Sequence, residues 1–195
     1  MPQALTLASH LLAQAENNAW SNLRLHGACA DLAPEAYFAK RPCFFGSIHN
    51  TLYHLLLVDR RYLARIEGRP PPQELSLDIS QGELAAMTAA QRATDRHLIG
   101  LVRGLDEQRL AAPVRIRDEA GEVWLDPLHR VLAHLFVHQV HHRGQVHDLL
   151  SQTSVAPPQL DEFFLSQDAR GRAAEIAELD LRPAPAPEKP LSKCG

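Results

Sequence analysis

Histidine is the residue type whose number and spacing most clearly suggest chemistry in this chain. Eleven of the 195 residues are histidine, and in the run HLFVHQVHHRGQVH four of them fall within nine residues, at His134, His138, His141 and His142. His138 and His142 are four residues apart, so on a helix their imidazoles lie one turn apart on the same face. Pairs of metal ligands on a helix have this spacing.

A helical wheel distinguishes the histidines that face the interior from those at the surface. With His134 placed at 0°, the apolar residues of this helix define an inward stripe at about 60° to 120°. His138 and His142 fall on or beside this stripe, at about 40° and 80°, whereas His134 and His141 lie at its edge. The remaining histidines of the stretch, His129 and His147, point away. The wheel therefore predicts His138 and His142 as the inward pair.

The same treatment of the run SIHNTLYHLLLVDRRYL predicts a third ligand. His54 borders the apolar stripe of that helix, whereas His49 lies on the opposite side. Three neutral imidazoles leave a coordination position open on a zinc-like ion, as in catalytic sites. Nitrogen ligands also suit nickel, cobalt, iron and copper, so spacing does not identify the metal. The alternative is that these histidines are hydrogen-bonded core residues without a metal.

The elements that must position these histidines are long helices. Apolar periodicity predicts four of them, broken by Gly and Pro clusters, which indicates an all-α helical bundle. The predicted bounds are about Pro2 to Ala30, Gly46 or Ser47 to Glu67, about Gln81 to Gly104, and Asp126 or Pro127 to about Gln152. In the last helix, Asp126 is the expected N-cap and Pro127 the first helical residue.

Two further segments complete the predicted organisation. The run PVRIRDEAGEVWLDP alternates apolar and polar residues around a turn and predicts a short β-hairpin or a pair of extended arms before the last long helix. A shorter helix is expected from about Leu160 to Gln167 and beyond. Residues 1–180 are predicted to form a single domain. Residues 181–195 are Pro-rich and are expected to be disordered.

Composition excludes several classes of function. The net charge of −3 gives no overall basic character for nucleic acid, and no apolar run is long enough to span a membrane.

The N-terminus lacks the charge and apolar core of a signal peptide, so a cytoplasmic location is expected. The three cysteines, Cys29, Cys43 and Cys194, form no paired motif and are expected to be free thiols.

Four runs resemble the DinB/YfiT family of metal-dependent helical-bundle proteins: ENNAWSNLRL, FFGSIHNTLYHLLLVDRRYLARIEG, DPLHRVLAHLFVHQVHHRGQVHDLL and PPQLDEFF. They occur in the family's order and cover about Leu5 to Leu165. The resemblance implies a four-helix bundle of up-down-down-up order and frequent homodimers. It also implies a divalent metal, zinc or nickel, held by one histidine of the second long helix and a pair on the fourth. In this chain those residues are His54, His138 and His142.

Family members with assigned activities resemble thiol-dependent transferases or isomerases that use a low-molecular-weight thiol at the metal. The leading hypothesis is therefore an S-transferase that joins such a thiol to a small electrophile. A metal-dependent hydrolase is an alternative, since the same ion can activate water. A non-enzymatic, dimeric module that binds a metal or a small ligand is another, and a purely structural bundle is the third.

Several neighbours of the predicted site have expected roles. Gln145 is expected either to hold a ligand or water by hydrogen bonding or to be a polar edge residue, and His141 either to act as a base or to be solvated. Asp59 is expected to be buried and to pair with an Arg or a backbone donor. Arg143 is expected to point off the inner stripe, and Gly144 to permit close helix packing. Neither Cys43 nor any other residue is assigned a catalytic role.

Overall fold

The structure is a computed structural model that describes residues 5–117 and 120–181. Among these residues it contains four long and four short helices, a 3-10 turn at Ser166–Asp168 and a two-stranded sheet. The helices are α1 Leu7–Ala30, α2 Pro34–Phe38, α3 Ile48–Ile66, α4 Leu77–Ser80, α5 Leu84–Arg103, α6 Glu107–Ala111, α7 Leu128–Ser151 and α8 Ala173–Glu178. The strands are β1 Pro113–Arg117 and β2 Val123–Pro127. No described helix combines the length and apolar character needed to cross a bilayer.

The long helices form a ring in which α1 and α3 each pack against both α5 and α7. Their directions follow from residue pairs that meet at two levels of the bundle. Such pairs are Asn18–Asp95 and His26–Thr88 for α1 with α5, His54–His138 and Tyr62–His134 for α3 with α7, and Asp59–Gln91 and Arg60–Thr94 for α3 with α5. Thus α1 and α7 run one way and α3 and α5 the other. The bundle has the expected up-down-down-up order.

Side-chain caps set the first residue of two long helices. Thr6 caps α1, with its Oγ1 accepting from the Ser9 amide at 3.0 Å. The helix therefore begins at Leu7 rather than near Pro2, since the cap residue is extended. Residues 1–4 lie outside the described part of the chain. Ser47 caps α3 in the same way, by accepting from the Asn50 amide at 3.1 Å, as its position in the sequence predicted.

The predicted hairpin is present, but the start of α7 differs from the prediction. β1 and β2 pair antiparallel, with Pro113 opposite Pro127. Asp126 is therefore a strand residue, and Pro127 is the N-cap of α7 with no side-chain cap. The Leu128 amide donates to the Ala112 carbonyl at 2.9 Å, which continues the hairpin contacts into the first turn. Asp126 pairs with Val114 in the sheet and so does not cap α7, although its position before Pro127 predicted a cap.

Two other expected bounds were wrong. α5 begins at Leu84, after an extended Glu83, rather than at Gln81. The segment predicted as a helix from Leu160 to Gln167 is instead irregular up to the 3-10 turn, and α8 begins only at Ala173. In this irregular segment the carbonyls of Glu162 and Leu165 accept hydrogen bonds from Nη1 of Arg172. Of the predicted tail 181–195, Leu181 is buried, and the rest lies outside the described residues.

The core consists of two apolar clusters separated by a polar layer. On each long helix, polar residues lie between one set of buried apolar residues and the next. This polar layer contains Asn18 and Asn22 of α1, Asp59 of α3, Gln91 and Asp95 of α5, and Gln139 and Arg143 of α7. Trp20 is fully buried in the cluster at the hairpin end.

Candidate metal centre

The three histidines predicted as ligands meet in the groove between α3 and α7. His54, His138 and His142 each offer one ring nitrogen, and these atoms all lie within 4.8 Å of one another. Ring centroids are 5.2 Å apart for His54 and His138, 4.6 Å for His54 and His142, and 4.3 Å for His138 and His142. His142 is buried, and the other two rings are half-buried. A cluster of this kind can hold a metal ion.

The distances in this cluster match the requirements of a small divalent ion. The Nε2 atoms of His54 and His138 are 3.1 Å apart. Two nitrogens bound to one tetrahedral zinc ion at about 2.0–2.1 Å are about 3.3 Å apart. Three imidazoles alone also leave room for a further ligand, which a closed structural site does not. The donor set and its spacing therefore fit a small divalent metal ion.

Gln145 fixes the orientation of His142. The Nδ1 atom of His142 lies 2.8 Å from Oε1 of Gln145, and an amide oxygen can only accept, so Nδ1 carries the hydrogen. Nε2 is then the nitrogen with a free lone pair, the form needed for a metal ligand. The amide nitrogen of Gln145 in turn lies 3.3 Å from Nε2 of the exposed His141. Both residues that the sequence suggested as neighbours thus contact the cluster.

Phe45 covers the cluster from the loop before α3. Its ring stacks on His54 with centroids 4.3 Å apart and meets the His142 ring edge-on at 5.4 Å. Gly46, with a φ of +81°, supplies the left-handed turn between Phe45 and the Ser47 cap. No sequence pattern predicts this contact, because loop residues have no periodicity that would assign them to a face.

A second aromatic pair joins α3 and α7, two helical turns beyond His54 on α3 and one turn before His138 on α7. The Tyr62 hydroxyl is 2.5 Å from Nδ1 of His134, and the two rings are stacked with centroids 5.8 Å apart. His134 is exposed, and Tyr62 is half-buried. The wheel placed His134 at the edge of the apolar stripe, which agrees with this position at the rim of the groove, but it did not identify Tyr62 as the partner.

Burial keeps the three imidazoles neutral. Desolvation, followed by the charges of His142 and Arg61, lowers the pKa of His54 to about 4. Desolvation and the neighbouring imidazoles lower the pKa of His138 to about 3. Desolvation also lowers the pKa of His142, partly offset by the hydrogen bond to Gln145. Near neutral pH all three rings are unprotonated, which is the state that coordinates metals.

The structure corrects two expectations for the residues beside the pair on α7. Arg143 does not point away from the interior: it is buried in the polar layer, where its Nη1 donates to the side-chain oxygens of Asn18 and Asn22. Gly144 is exposed, and a Cβ built on it would have no atom within 4 Å. Gly144 is thus not a site of close helix packing.

Asp59 is buried as expected, but its hydrogen-bond partners differ from the prediction. Its two carboxylate oxygens accept from the side-chain amides of Gln91 and Gln139, each at 3.0 Å. Arg143 acts on it only through its charge. Asp59 therefore belongs to the polar layer.

The other histidines of these helices have separate roles. His49, predicted to face away from the interior, is buried beneath the rings of Tyr37 and Phe38, and its Nε2 lies 2.9 Å from the Ser80 carbonyl. The residues that cover it come from α2 and α4, which the sequence did not predict. His129 lies 3.1 Å from the Leu110 carbonyl. Of the cysteines, Cys29 and Cys43 are free thiols, and Cys194 lies outside the described residues.

Comparison with known proteins agrees with this arrangement. A family model described as DinB family matches residues 1–175. The chain belongs to the DinB family. The match extends about ten residues beyond Leu165, to where α8 begins, so the resemblance covers more of the chain than the sequence motifs indicated.

A curated relative supports the same assignment. The chain is similar to Protein DinB from Bacillus subtilis (strain 168), with 23% identity over 156 residues that cover 75% of this chain and 87% of the relative. Family membership and the three-histidine cluster together fit a metal-binding protein of the DinB family.

Proposed function

We propose that this protein is a metal-dependent enzyme in which His54, His138 and His142 hold a divalent ion, zinc or nickel, and that it transfers a low-molecular-weight thiol to a small electrophile. The observation that carries the proposal is the convergence of three neutral imidazoles from two helices, with their ring nitrogens within 4.8 Å. A divalent ion held there would lower the pKa of a thiol or of water and so supply a nucleophile near neutral pH.

The chain's own residues prepare this site for ligand binding. Gln145 holds His142 in the tautomer whose Nε2 is available. Phe45 stacks on His54 and excludes water from one side of the cluster. His54 and His138 stay half-exposed, which leaves an approach for a small molecule along the α3–α7 groove. His141 is exposed and within reach of Gln145, so it is the side chain best placed to pass a proton to solvent.

The proposal extends to the assembly and location of the protein. A homodimer is proposed because the resemblance to the DinB family implies one. A cytoplasmic location is proposed because the three cysteines have no paired spacing. Analytical ultracentrifugation would measure the assembly state, and a single species at the mass of one chain would exclude the dimer.

Metal content is the first test of this function. Protein purified without a histidine tag should contain about one zinc or nickel ion per chain by mass spectrometry, and added Zn²⁺ or Ni²⁺ should raise the melting temperature of metal-stripped protein. His138→Ala should lose both effects, because it removes one of the three proposed ligands, and metal binding adds to folding stability only where a complete site forms in the folded chain. His97→Ala, at an exposed histidine on α5, is the matched control. Unchanged metal content in His138→Ala would refute the ligand assignment.

Turnover is the second test. A panel of electrophiles should be consumed in the presence of glutathione, bacillithiol or mycothiol, and consumption should require both the ion and the thiol. Consumption with the ion alone would instead identify a hydrolase. Metal-dependent stabilisation without turnover of any panel member would identify a binding module.

A further inference from the structure

A groove lined by arginines lies at the end of α3 and against β1. Its volume is about 960 Å³, which is within the range of small-molecule sites. Its described lining residues include no Asp or Glu. Six arginines line it: Arg61, Arg65, Arg69, Arg109, Arg115 and Arg117. The net charge of the chain is −3, so this positive charge is a local feature that overall composition conceals.

Most of this charge has no acidic partner among the described residues. Arg61 donates from Nε and Nη2 to the carbonyls of Pro72 and Gln73, and Arg117 donates to the carbonyl of Gly121. Arg65 lies over the Tyr62 ring, 5.8 Å from its centroid. These partners are neutral, so they orient the guanidinium groups without cancelling their charge.

The remaining three arginines differ in their partners. Arg69 pairs with Glu67, and it is the one groove arginine with an ion pair inside the described part of the chain. The side chains of Arg109 and Arg115 are exposed, and within residues 5–117 and 120–181 they have no hydrogen bond or ion pair. Like charges that are held together without counterions repel one another, and a bound anion relieves this repulsion.

Two of the groove arginines share a helix face with one histidine of the three-histidine cluster. Arg61 and Arg65 follow His54 by seven and eleven residues, so the three side chains share one face of α3. Arg61 lies about 10 Å along the helix axis from His54, and its charge is one of those that act on the His54 imidazole. Tyr62, which follows Arg61 in sequence, pairs with His134 of α7. An anion held at Arg61 therefore lies on the same side of α3 as the histidines.

From these observations we infer that the arginine groove is a binding site for small molecules that carry two or more oxyanion charges, as phosphate esters and polycarboxylates do. Guanidinium groups bind both classes through paired N–H···O contacts. Partly exposed contacts of this kind are weakened by salt, so binding should be strongest at low ionic strength. The proposal concerns residues distinct from the three histidines.

Calorimetric titration of metal-stripped protein with inorganic pyrophosphate and with tricarballylate tests this inference. Both probes should bind, with the Kd rising between 50 and 300 mM salt, and the tighter probe identifies the preferred anion class. Arg109→Gln combined with Arg115→Gln should raise the Kd at least tenfold. The matched control, Arg96→Gln combined with Arg170→Gln, changes two exposed arginines outside the groove and should alter the Kd less than twofold.

Three results would overturn the inference. The first is absence of binding of either probe at millimolar concentration, and the second is an equal loss in both double variants, which would indicate general attraction to positive charge. The third is tighter binding of an oligothymidylate than of pyrophosphate at 150 mM salt, which would indicate a nucleic-acid surface. His54→Ala separates this site from the proposed function: it should lose metal and keep pyrophosphate affinity within twofold.

Discussion

The bundle contains two polar clusters that differ in how their polar atoms are used. In the polar layer, carboxylates, amides and a guanidinium from all four long helices bond to one another, and every member is buried. In the three-histidine cluster, ring nitrogens from two helices face one another at the edge of the bundle, and two of the rings are half-exposed. The first cluster lies within the core and the second opens to the groove.

This difference indicates what each cluster contributes. Buried polar groups that satisfy one another fix the relative heights of the helices, because any sliding leaves a donor or a carboxylate unpaired in the interior. Nitrogens that converge without other partners gain little from one another and are arranged for a ligand. The polar layer should therefore control stability, and the histidines should control binding.

The largest expected effect is on the polar layer. Asp95→Ala removes the carboxylate that accepts from Asn18, Asn22 and Gln91 and leaves Arg143 with less compensating charge. The free energy of unfolding should fall by about 3 kcal/mol or more, measured by urea denaturation. Asp161→Ala, at an exposed site, should change it by less than about 0.5 kcal/mol.

The contrast between the two clusters also requires that a substitution in the three-histidine cluster has a small effect on stability. In metal-stripped protein, His54→Ala should cost only about 1 kcal/mol, mainly the stacking on Phe45. A loss as large as that of Asp95→Ala would mean that the histidines are structural, and the contrast between the clusters would be wrong.

The next largest effect is the pH dependence that the polar layer gives to the free energy of unfolding. Desolvation and the neighbouring Asp59 raise the pKa of Asp95 to about 7, and desolvation raises that of Asp59 to about 6 against the lowering effect of its amide partners and Arg143. Because the pKa of each carboxyl is higher in the folded than in the unfolded state, the folded state holds more protons. The stability that these two carboxyls contribute is therefore present at low pH and is lost as the pH rises through the pKa of the folded state.

Comparison with Asp95→Asn isolates this contribution, because the variant does not titrate at that position. The wild-type free energy of unfolding relative to the variant should fall by on the order of 1 to 2 kcal/mol between pH 5 and pH 8. Urea denaturation curves of both proteins across this range provide the measurement. A constant difference would show that the Asp95 carboxyl is not the group that titrates.

A third effect concerns the support of the metal ligand. Gln145→Ala removes the oxygen that orients His142 and should lower zinc or nickel affinity by about 10- to 100-fold. The stability of the metal-stripped protein should stay within about 0.5 kcal/mol, since Gln145 lies outside the polar layer. Gln152→Ala at the end of the same helix is the control, and competition with a chromogenic chelator measures the affinity. Unchanged affinity would make Gln145 an ordinary edge residue.

The smallest effect is expected for His141→Ala. His141 is exposed and contacts the cluster only through the Gln145 amide and the face of His142, so metal affinity should change less than twofold. If the protein turns over a thiol and an electrophile, a rate loss above tenfold with unchanged metal content would assign His141 to proton transfer rather than to the solvated surface.

Local patterns were sufficient to predict the long helices, the hairpin and the meeting of the three histidines. They failed for residues that are buried by a second neighbouring helix. Arg143 and Gln139 lie at about 180° and 140° on the wheel of α7, outside the stripe drawn from its most evident apolar residues. α7 packs against α1 as well as α3, so its buried arc is wider than one stripe. His49 is covered by the short helices α2 and α4, which no periodicity predicted.

The position of α7 along the chain also affects when the metal site can form. His138 and His142 follow the other long helices, and 84 residues separate His138 from His54. During synthesis at about 5–20 residues per second, a chain that has completed α5 must wait several seconds for the last long helix to leave the ribosome. Until then the nascent protein lacks both the histidine pair of α7 and Arg143, which completes the polar layer. The three imidazoles that could hold an ion can thus come together only after α7 has been made.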